Sequence, residues 1–153
     1  LARVLQAKGA LDEAEQQVRL SLDVALKALP ADHVGTLTTQ LLLGRVLLDR
    51  RKPADAEPLL RHVLEARTRT LAAGAWQIGE VKLALGRTLL ALGRRDDAEP
   101  LLQESMDSLK NGGKAQDPLK REAALALAQF NRSRRPATTP STTTTAAALL
   151  TPP

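Results

Sequence analysis

The sequence contains no cysteine, which excludes disulfides, thiolate metal sites and a cysteine nucleophile. Aromatic side chains are almost missing as well, because Trp76 and Phe130 are the only two in 153 residues. The apolar residues are mainly leucine and alanine, which favour helices, whereas sheets are rich in aromatic and β-branched residues. These absences predict an all-α protein.

Long hydrophobic runs are also absent. No apolar stretch approaches the roughly 18 residues that a membrane-spanning helix needs, so we expect no membrane span in this sequence. The lack of cysteine fits a reducing compartment, and we expect a cytoplasmic location. The sequence starts at Leu1 rather than at Met, within what already reads as a helix, which we interpret as a fragment of a longer protein.

The net charge of +5 is unevenly distributed along the chain. Residues 117–135 carry five basic and two acidic side chains, whereas residues 1–116 are close to balanced. A uniform basic surface would favour nucleic acid, but a local excess at one end does not. We therefore expect nucleic acid to be an unlikely partner. An alternative is a nucleic-acid-binding regulator that uses the basic residues at this end: Lys120, Arg121, Arg132, Arg134 and Arg135.

The sequence repeats with a period of 42 residues. Three gapless segments align around Ala14, Ala56 and Ala98. The same offset relates several other columns, namely Arg3, Arg45 and Arg87, then Leu5, Leu47 and Leu89, then Gly44 and Gly86. Agreement in several columns indicates a repeat architecture.

Each unit contains two helical patterns, best seen in the middle unit. Leu43 and Leu47 share one face of a first helix at i, i+4 spacing. Ala56, Leu60 and Leu64 form a stripe along a second helix, where the small Ala56 lets two antiparallel helices approach closely. We predict a repeat array over residues 1–132, with hairpins at 1–29, 34–71 and 75–110 and a closing helix at 118–132.

The ends of these helices are less uniform. Gly9 and Gly93 follow the first helices of their units, where a left-handed residue ends a helix, but Arg51 takes that place in the middle unit. Pro58 and Pro100 either lie inside second helices, where each would lose a hydrogen bond, or mark the start of those helices. The sequence leaves both possibilities open.

The motif of Leu-Gly followed by Gly and then by a small residue resembles the tetratricopeptide repeat. In one unit it consists of Leu85-Gly86, Gly93 and Ala98. In the unit before, it consists of Leu43-Gly44 and Ala56, with Arg51 in place of the second glycine. The 42-residue period and the linker Pro30-Ala31-Asp32-His33 are similar to the kinesin-light-chain-like subclass, and residues 75–102 resemble the closing repeat of the C-terminal arrays of bacterial Ser/Thr protein kinases. The resemblance implies a right-handed solenoid of about three and a half helical hairpins.

The last segment has a different composition. Residues 133–153 are rich in threonine and proline, and such a segment buries too little apolar surface to offset the entropy of ordering. We predict a disordered C-terminal tail.

Candidate chemistry is sparse. Gly112-Gly113-Lys114 lacks the upstream glycine of a P-loop, and His33 and His62 have no partner at metal-ligand spacing. His33 fits a turn residue, and His62 a partly exposed helix residue. We therefore expect no catalytic residue, no cofactor and no metal in this chain.

The arginine column is the main candidate for binding. By the resemblance, first helices line the concave groove of the solenoid, and Arg3, Arg45 and Arg87 project into it. The residues expected to share this groove are Thr38, Leu41, Leu48, Asp49, Glu80, Leu83 and Leu90. The arginines either grip the carboxylates or carbonyls of a bound peptide or pair with acids on neighbouring helices, and the sequence weighs both equally.

The resulting functional hypothesis is a protein–protein interaction scaffold that binds a protein or peptide segment. The resemblance suggests the docking or sensor region of a larger bacterial signalling protein such as a Ser/Thr kinase. The kinase motifs His-Arg-Asp and Asp-Phe-Gly are absent from the sequence itself, so we expect no enzymatic activity in this part.

Overall fold

The protein folds into consecutive α-helices. The structure, a computed structural model, describes residues 10–134, with side chains through residue 132. The helices are α1 (Leu11–Ala28), α2 (Val34–Asp49), α3 (Pro53–Thr70), α4 (Trp76–Ala91), α5 (Arg95–Lys110) and α6 (Asp117–Arg134), and a 3-10 turn (Lys114–Gln116) precedes α6. No strand occurs within residues 10–134, and the all-α prediction is confirmed. Helix α6 begins one residue before the expected 118–132 and ends two residues after it, so its last two residues overlap the predicted tail at 133–153. The rest of that tail, and residues 1–9 of the predicted first hairpin, lie outside the described residues.

Helix pairs α2–α3 and α4–α5 pack closely at glycine and alanine positions. A Cβ atom added to Gly44 would lie 2.7 Å from Leu60 Cδ2, and one added to Gly86 would lie 2.8 Å from Leu102 Cδ2. Ala98, which follows in the same hairpin as Gly86, is fully buried. Gly44 and Gly86, which are 42 residues apart, are therefore the points where the leucines of a second helix press on a first helix.

The turns between helices follow the sequence signals. Gly93 closes α4 with a φ of 76°, and Arg51 adopts a φ of 58° at the corresponding turn after α2. A non-glycine residue in this left-handed region costs about 1 kcal/mol relative to glycine. His33 caps α2, because its Nδ1 accepts a hydrogen bond of 3.1 Å from the backbone N–H of Gly35.

The two prolines lie inside second helices. Helix α3 begins at Pro53 and α5 at Arg95, so Pro58 and Pro100 are both more than one turn in. Proline has no N–H, so the carbonyls four residues earlier, on Ala54 and Asp96, lose their helical partner. The structure thereby decides the question that the sequence left open.

Neighbouring units are joined by polar contacts that repeat with the sequence period. On the loop edge, Arg69 donates to Asp32 over 2.9 Å, and one unit later Asn111 donates to the Gly74 carbonyl over 3.0 Å. On the second helices, Lys52 contacts Glu15 at 3.2 Å, and one unit later Arg94 contacts Glu57 at 2.7 Å. In each case the partners are 37 residues apart, so equivalent positions are joined at both junctions although the side chains differ.

Glu15 is the most strongly held carboxylate of this set. It is 7% exposed and accepts hydrogen bonds from Arg19 at 2.9 Å, from Lys52 and from Arg50. Burial would raise the pKa of Glu15, but the hydrogen bonds from these three cations outweigh burial and lower the pKa from 4.5 to about 2. Glu57, its counterpart one unit later, also has a lowered pKa, mainly because Arg61 donates to it.

We expect Glu15 to make the fold sensitive to acid. Its pKa is lower in the folded state than in the unfolded chain, so its stabilisation is complete above about pH 4.5 and is lost as the pH falls towards 2. Glu15→Gln should therefore flatten the fall in unfolding free energy between pH 5 and pH 2 by about 1–2 kcal/mol, after allowance for solvent screening. Urea denaturation at a series of pH values measures this change.

The matched control is Glu13→Gln, which alters an exposed glutamate of the same helix and leaves Glu15 intact. This variant should retain the parent's response to acid. Equal acid sensitivity of Glu15→Gln and the parent would show that the contacts around Glu15 do not stabilise the folded state.

Candidate functional site

The first helices of successive units, α2, α4 and α6, form the inner face of the solenoid. Each of these helices contacts the next one directly, and one ion pair joins two of them that are not nearest neighbours. Arg45 Nη2 on α2 lies 3.1 Å from Glu122 Oε2 on α6, although α4 stands between these helices in the sequence. Side chains two units apart meet only if the array curves towards them, so this face is concave.

A network of ion pairs crosses the inner face. Glu80 on α4 lies 3.6 Å from Arg45 and 3.4 Å from Arg67, and Arg87 lies 3.9 Å from Asp49. Arg87 also pairs with the carboxylate that Arg45 contacts on α6. We call this set the inner-face network, and its members are Arg45, Arg67, Arg87, Asp49, Glu80 and Glu122. Three cations and three carboxylates give it no net charge.

Arg67 is the deepest member of the inner-face network. Its side chain is 9% exposed, and it donates to the Gln77 carbonyl over 2.9 Å as well as to Glu80. The residues 42 positions before and after it are Ala25 and Leu109, so a charge occupies a position that is apolar in the other units. A buried guanidinium is tolerated only when it is paired and hydrogen-bonded, and Glu80 with the carbonyl supplies both.

The two members of the predicted arginine column that lie in the described part of the chain thus have internal partners. Arg45 and Arg87 both pair with carboxylates of neighbouring helices, which agrees with the second of the two interpretations drawn from the sequence. Arg3 lies outside the described residues.

Several clefts open on the inner face of the described residues. One of about 330 Å³ is lined by Arg45, Trp76, Glu80, Ala115, Gln116, Pro118, Leu119 and Glu122. Two others are lined mainly by predicted groove residues. One has a volume of about 260 Å³ and is lined by Thr38, Leu41, Leu42, Arg45 and Glu80. The other has a volume of about 340 Å³ and is lined by Leu48, Arg87, Leu90, Ala91, Ala126 and Gln129. Both combine leucine side chains with members of the inner-face network, so each offers apolar contact beside a charged group.

The remaining predicted groove residues differ in accessibility. Asp49 is exposed at the end of α2, beside Arg87. Leu83 is 1% exposed and belongs to an apolar cluster with Ala123 and Ala126 of α6. Because α6 covers it, Leu83 holds α4 and α6 together and does not present an open surface.

Sequence reasoning missed Glu122, the residue that connects Arg45 and Arg87. A signal for it was present, because Glu122 follows Glu80 by 42 residues and Thr38 precedes Glu80 by the same interval. The two arginines of the column within the described residues each pair with the glutamate 35 positions later, Arg45 with Glu80 and Arg87 with Glu122. Comparing the arginine column with this second column would have predicted both pairs.

Other candidate chemistry is limited in the described residues. Within residues 10–134, no three His, Asp or Glu side chains come together in a geometry suited to a metal ion. Lys120, one of the basic residues near the C-terminal end, lies 3.1 Å from the Gly112 carbonyl and 3.2 Å from Asp117. None of the helices in this range has the combined length and hydropathy of a membrane span.

Comparison with known proteins identifies the repeats. A tetratricopeptide repeat profile matches residues 1–69, and a second tetratricopeptide repeat profile matches residues 81–111. No curated protein sequence matches the chain. Together the two profiles span about two thirds of the sequence.

Solved structures give a consistent result. The chain is similar to a protein of Podosopora anserina described as a kinesin light chain with nearly identical TPR-like repeats, with a TM-score of 0.70 and 21% identity over 92% of this chain and 76% of that one. The Q17M form of the same protein gives a TM-score of 0.69 and 21% identity over 88% and 74%. This likeness shows the fold, and the profiles and repeated motifs show the family: the chain is a member of the tetratricopeptide repeat family, with repeats like those of kinesin light chains.

Proposed function

We propose that this chain holds an extended segment of another protein along its inner face. Tetratricopeptide repeats bind proteins or peptides, which supports a protein–protein interaction scaffold as the general role. The proposal adds the surface and the manner of binding. It covers the predicted groove residues that line the two clefts, and it treats Leu83 as support for that surface.

The cleft beside Arg45 and Glu80 carries the proposal. Leu41 and Leu42 supply apolar contact there, while an arginine and a carboxylate lie on its wall. Thr38 is exposed at the same cleft, so a ligand reaches it from solvent. Apolar pockets with a few convergent polar groups are the usual form of a binding site.

The alternation of charge suggests what is recognised. Arg45 and Arg87 pair with Glu80 and Glu122, but a guanidinium has five N–H donors and a carboxylate about four acceptor sites, so pairing does not exhaust them. A peptide backbone offers N–H donors to these carboxylates and carbonyl acceptors to these guanidinium groups. Since the inner-face network has no net charge, it favours neither an acidic nor a basic ligand. We infer that backbone contacts position the segment and that the leucine-lined clefts select its side chains.

We also propose that the chain is the docking or sensor region of a larger bacterial signalling protein such as a Ser/Thr kinase. The support is the similarity of residues 75–102 to the closing repeat of the arrays in such kinases. The reading frame upstream of Leu1 tests this proposal. Kinase motifs in that frame are expected, and an unrelated domain there would contradict it.

A blocking substitution tests the inner-face proposal. Peptides selected from a displayed library on the parent chain should bind the Thr38→Trp variant at least about tenfold more weakly, because the indole fills the cleft that they occupy. A tenfold change corresponds to only about 1.4 kcal/mol of binding free energy. Fluorescence anisotropy with a labelled peptide measures the dissociation constant.

Thr68→Trp is a closely matched control. Thr38 and Thr68 are both exposed, and their hydroxyls donate to the carbonyl four residues earlier at 2.8 and 2.7 Å. Thr68 lies on α3, away from both clefts, so its replacement should leave binding unchanged. Equal affinities of the two variants would exclude the inner face as the binding surface.

A further inference from the structure

Glu122 of α6 joins two preceding units at once. Its Oε2 lies 3.1 Å from Arg45 Nη2 on α2, and its Oε1 pairs with Arg87 on α4. Each carboxylate oxygen therefore contacts one guanidinium, and the two guanidinium groups belong to different hairpins. We call Arg45, Arg87 and Glu122 the ionic bridge. Its contact between Arg45 and Glu122 links two units that are not neighbours in the array.

The apolar packing of the described residues connects α2 with α6 through the hairpin that lies between them. Helix α2 packs mainly on α1, α3 and α4, whereas α6 packs mainly on α4 and α5. The buried apolar residues form two clusters, one with Leu41 and Leu47 of α2 and the other with Ala123 and Ala126 of α6. The hairpin of α4 and α5 contributes to both clusters. The relative position of α2 and α6 therefore depends on this hairpin and on the side chains that reach across it.

An open cleft lies between the two helices beside the ionic bridge. It is the inner-face cleft of about 330 Å³, which is lined by Arg45 of α2 and by Leu119 and Glu122 of α6. Since α2 and α6 border a cleft here and are not packed on each other, a movement of α6 away from α2 costs little buried apolar contact.

Both ends of the long contact keep a partner on α4 when it opens. Arg45 also lies 3.6 Å from Glu80, and Glu122 also pairs with Arg87. Separation of Arg45 from Glu122 thus leaves neither charge without a counterion. Two arrangements of the same charges are therefore available, one with α6 tied to α2 and one with α6 tied to α4 alone.

The ionic bridge is accessible to dissolved ions. The side chains of Arg45 and Glu122 are each 27% exposed, and that of Arg87 is 35% exposed. Salt shortens the range over which exposed charges interact, from about 10 Å at 0.1 M to about 3 Å at 1 M. The attraction across α4 therefore weakens as salt rises, whereas the burial of apolar side chains within each cluster does not depend on charge.

We propose that the ionic bridge sets the curvature of the inner face, and that this face opens when the bridge is screened or broken. Opening moves α6 away from α2 and widens the cleft beside Glu122. The two apolar clusters stay intact, so the array changes its curvature without unfolding. The change needs no bound segment, so it is measured on the free chain and does not depend on the proposed function.

The test measures the distance between α2 and α6 by pulsed electron paramagnetic resonance. The sequence has no cysteine, so Val34→Cys on α2 and Leu125→Cys on α6 provide two sites for nitroxide labels in the full chain. Both positions are exposed and lie outside the ionic bridge. Raising salt from 0.1 M to 1 M should lengthen the mean distance by about 2 Å or more, the scale of helix shifts in switching proteins. An unchanged distance would overturn the proposal.

Two substitutions in the labelled chain break the ionic bridge from opposite sides. Glu122→Gln removes the shared carboxylate, and Arg45→Gln removes the partner on α2. Each variant should show the longer distance already at 0.1 M salt and should respond little to further salt. The two substitutions change the net charge in opposite directions, so agreement between them excludes a general effect of charge. The parent's distance in either variant at 0.1 M salt would overturn the proposal.

Glu104→Gln is the matched control. Glu104 pairs with Lys82 at 2.6 Å, but both residues belong to the hairpin of α4 and α5, so this ion pair does not reach another unit. The control should keep the parent's distance and the parent's response to salt, with circular dichroism showing that all variants are folded. If Glu104→Gln lengthens the distance as much as Glu122→Gln does, the curvature does not depend on the ionic bridge.

Discussion

Replacing Leu102 with alanine should lower the free energy of unfolding by about 2–5 kcal/mol. The side chain is fully buried on α5 and presses against Gly86 of α4. Alanine removes the contact of this side chain with Gly86 and leaves a cavity that the surrounding residues close only partly. Urea denaturation, with the midpoint and slope compared between variant and parent, measures the loss.

The effect of Gly86→Ala on stability should change sign when Leu102, which lies opposite Gly86, is replaced by alanine. In the parent, a Cβ atom on residue 86 would lie 2.8 Å from Leu102 Cδ2 and 2.9 Å from its Cγ, so Gly86→Ala should destabilise the hairpin by about 1–3 kcal/mol. Once Leu102 is alanine, that clash is gone and alanine is the better helix former by up to about 1 kcal/mol. Gly86→Ala should then be stabilising.

A double-mutant cycle tests this coupling, and contacting residues commonly couple by about 0.5–3 kcal/mol. Gly44 and Leu60 supply an internal replicate, since the Cβ contact there would be 2.7 Å. If the changes in unfolding free energy of the single variants simply add at both pairs, close packing does not require the glycines.

Ala56→Leu should cost about 1–3 kcal/mol of stability. Ala56 is fully buried in α3, and the added atoms have no space between the helices. The control is Ala54→Leu, which makes the same change at an exposed position of the same helix and should leave the denaturation midpoint nearly unchanged. If both variants unfold at the parent's midpoint, Ala56 does not lie at a tight helix contact.

The 42-residue period was sufficient to predict the helical architecture, because the pattern of buried positions occurs several times along the sequence. Leu43, Leu47, Ala56 and Leu60 were placed on facing helices by spacing alone, and all four are buried in the structure. The expectation of a family followed from the same columns, and the profile matches confirm it.

Other features could not be read from spacing. Whether Pro58 lies inside α3 depends on where that helix begins after the turn at Arg51. The local sequence allows a start near Pro53 or at Pro58. The clefts of the inner face depend on side chains that several helices bring together in space, and a linear pattern does not show which of them meet. Glu122 was predictable in principle, but only by comparing one repeated column with another.

The contacts between units have a consequence for how such arrays change in length. Arg45 pairs with Glu80 and Arg87 with Glu122, both 35 residues apart, while Glu15 with Lys52 and Glu57 with Arg94 keep a separation of 37. A duplication of one 42-residue unit therefore carries along one partner of each kind of ion pair for the junction behind it and the other partner for the junction ahead. Each copying event creates complementary ends at once, so an array of this type grows or shrinks by whole units without new mutations at its joints.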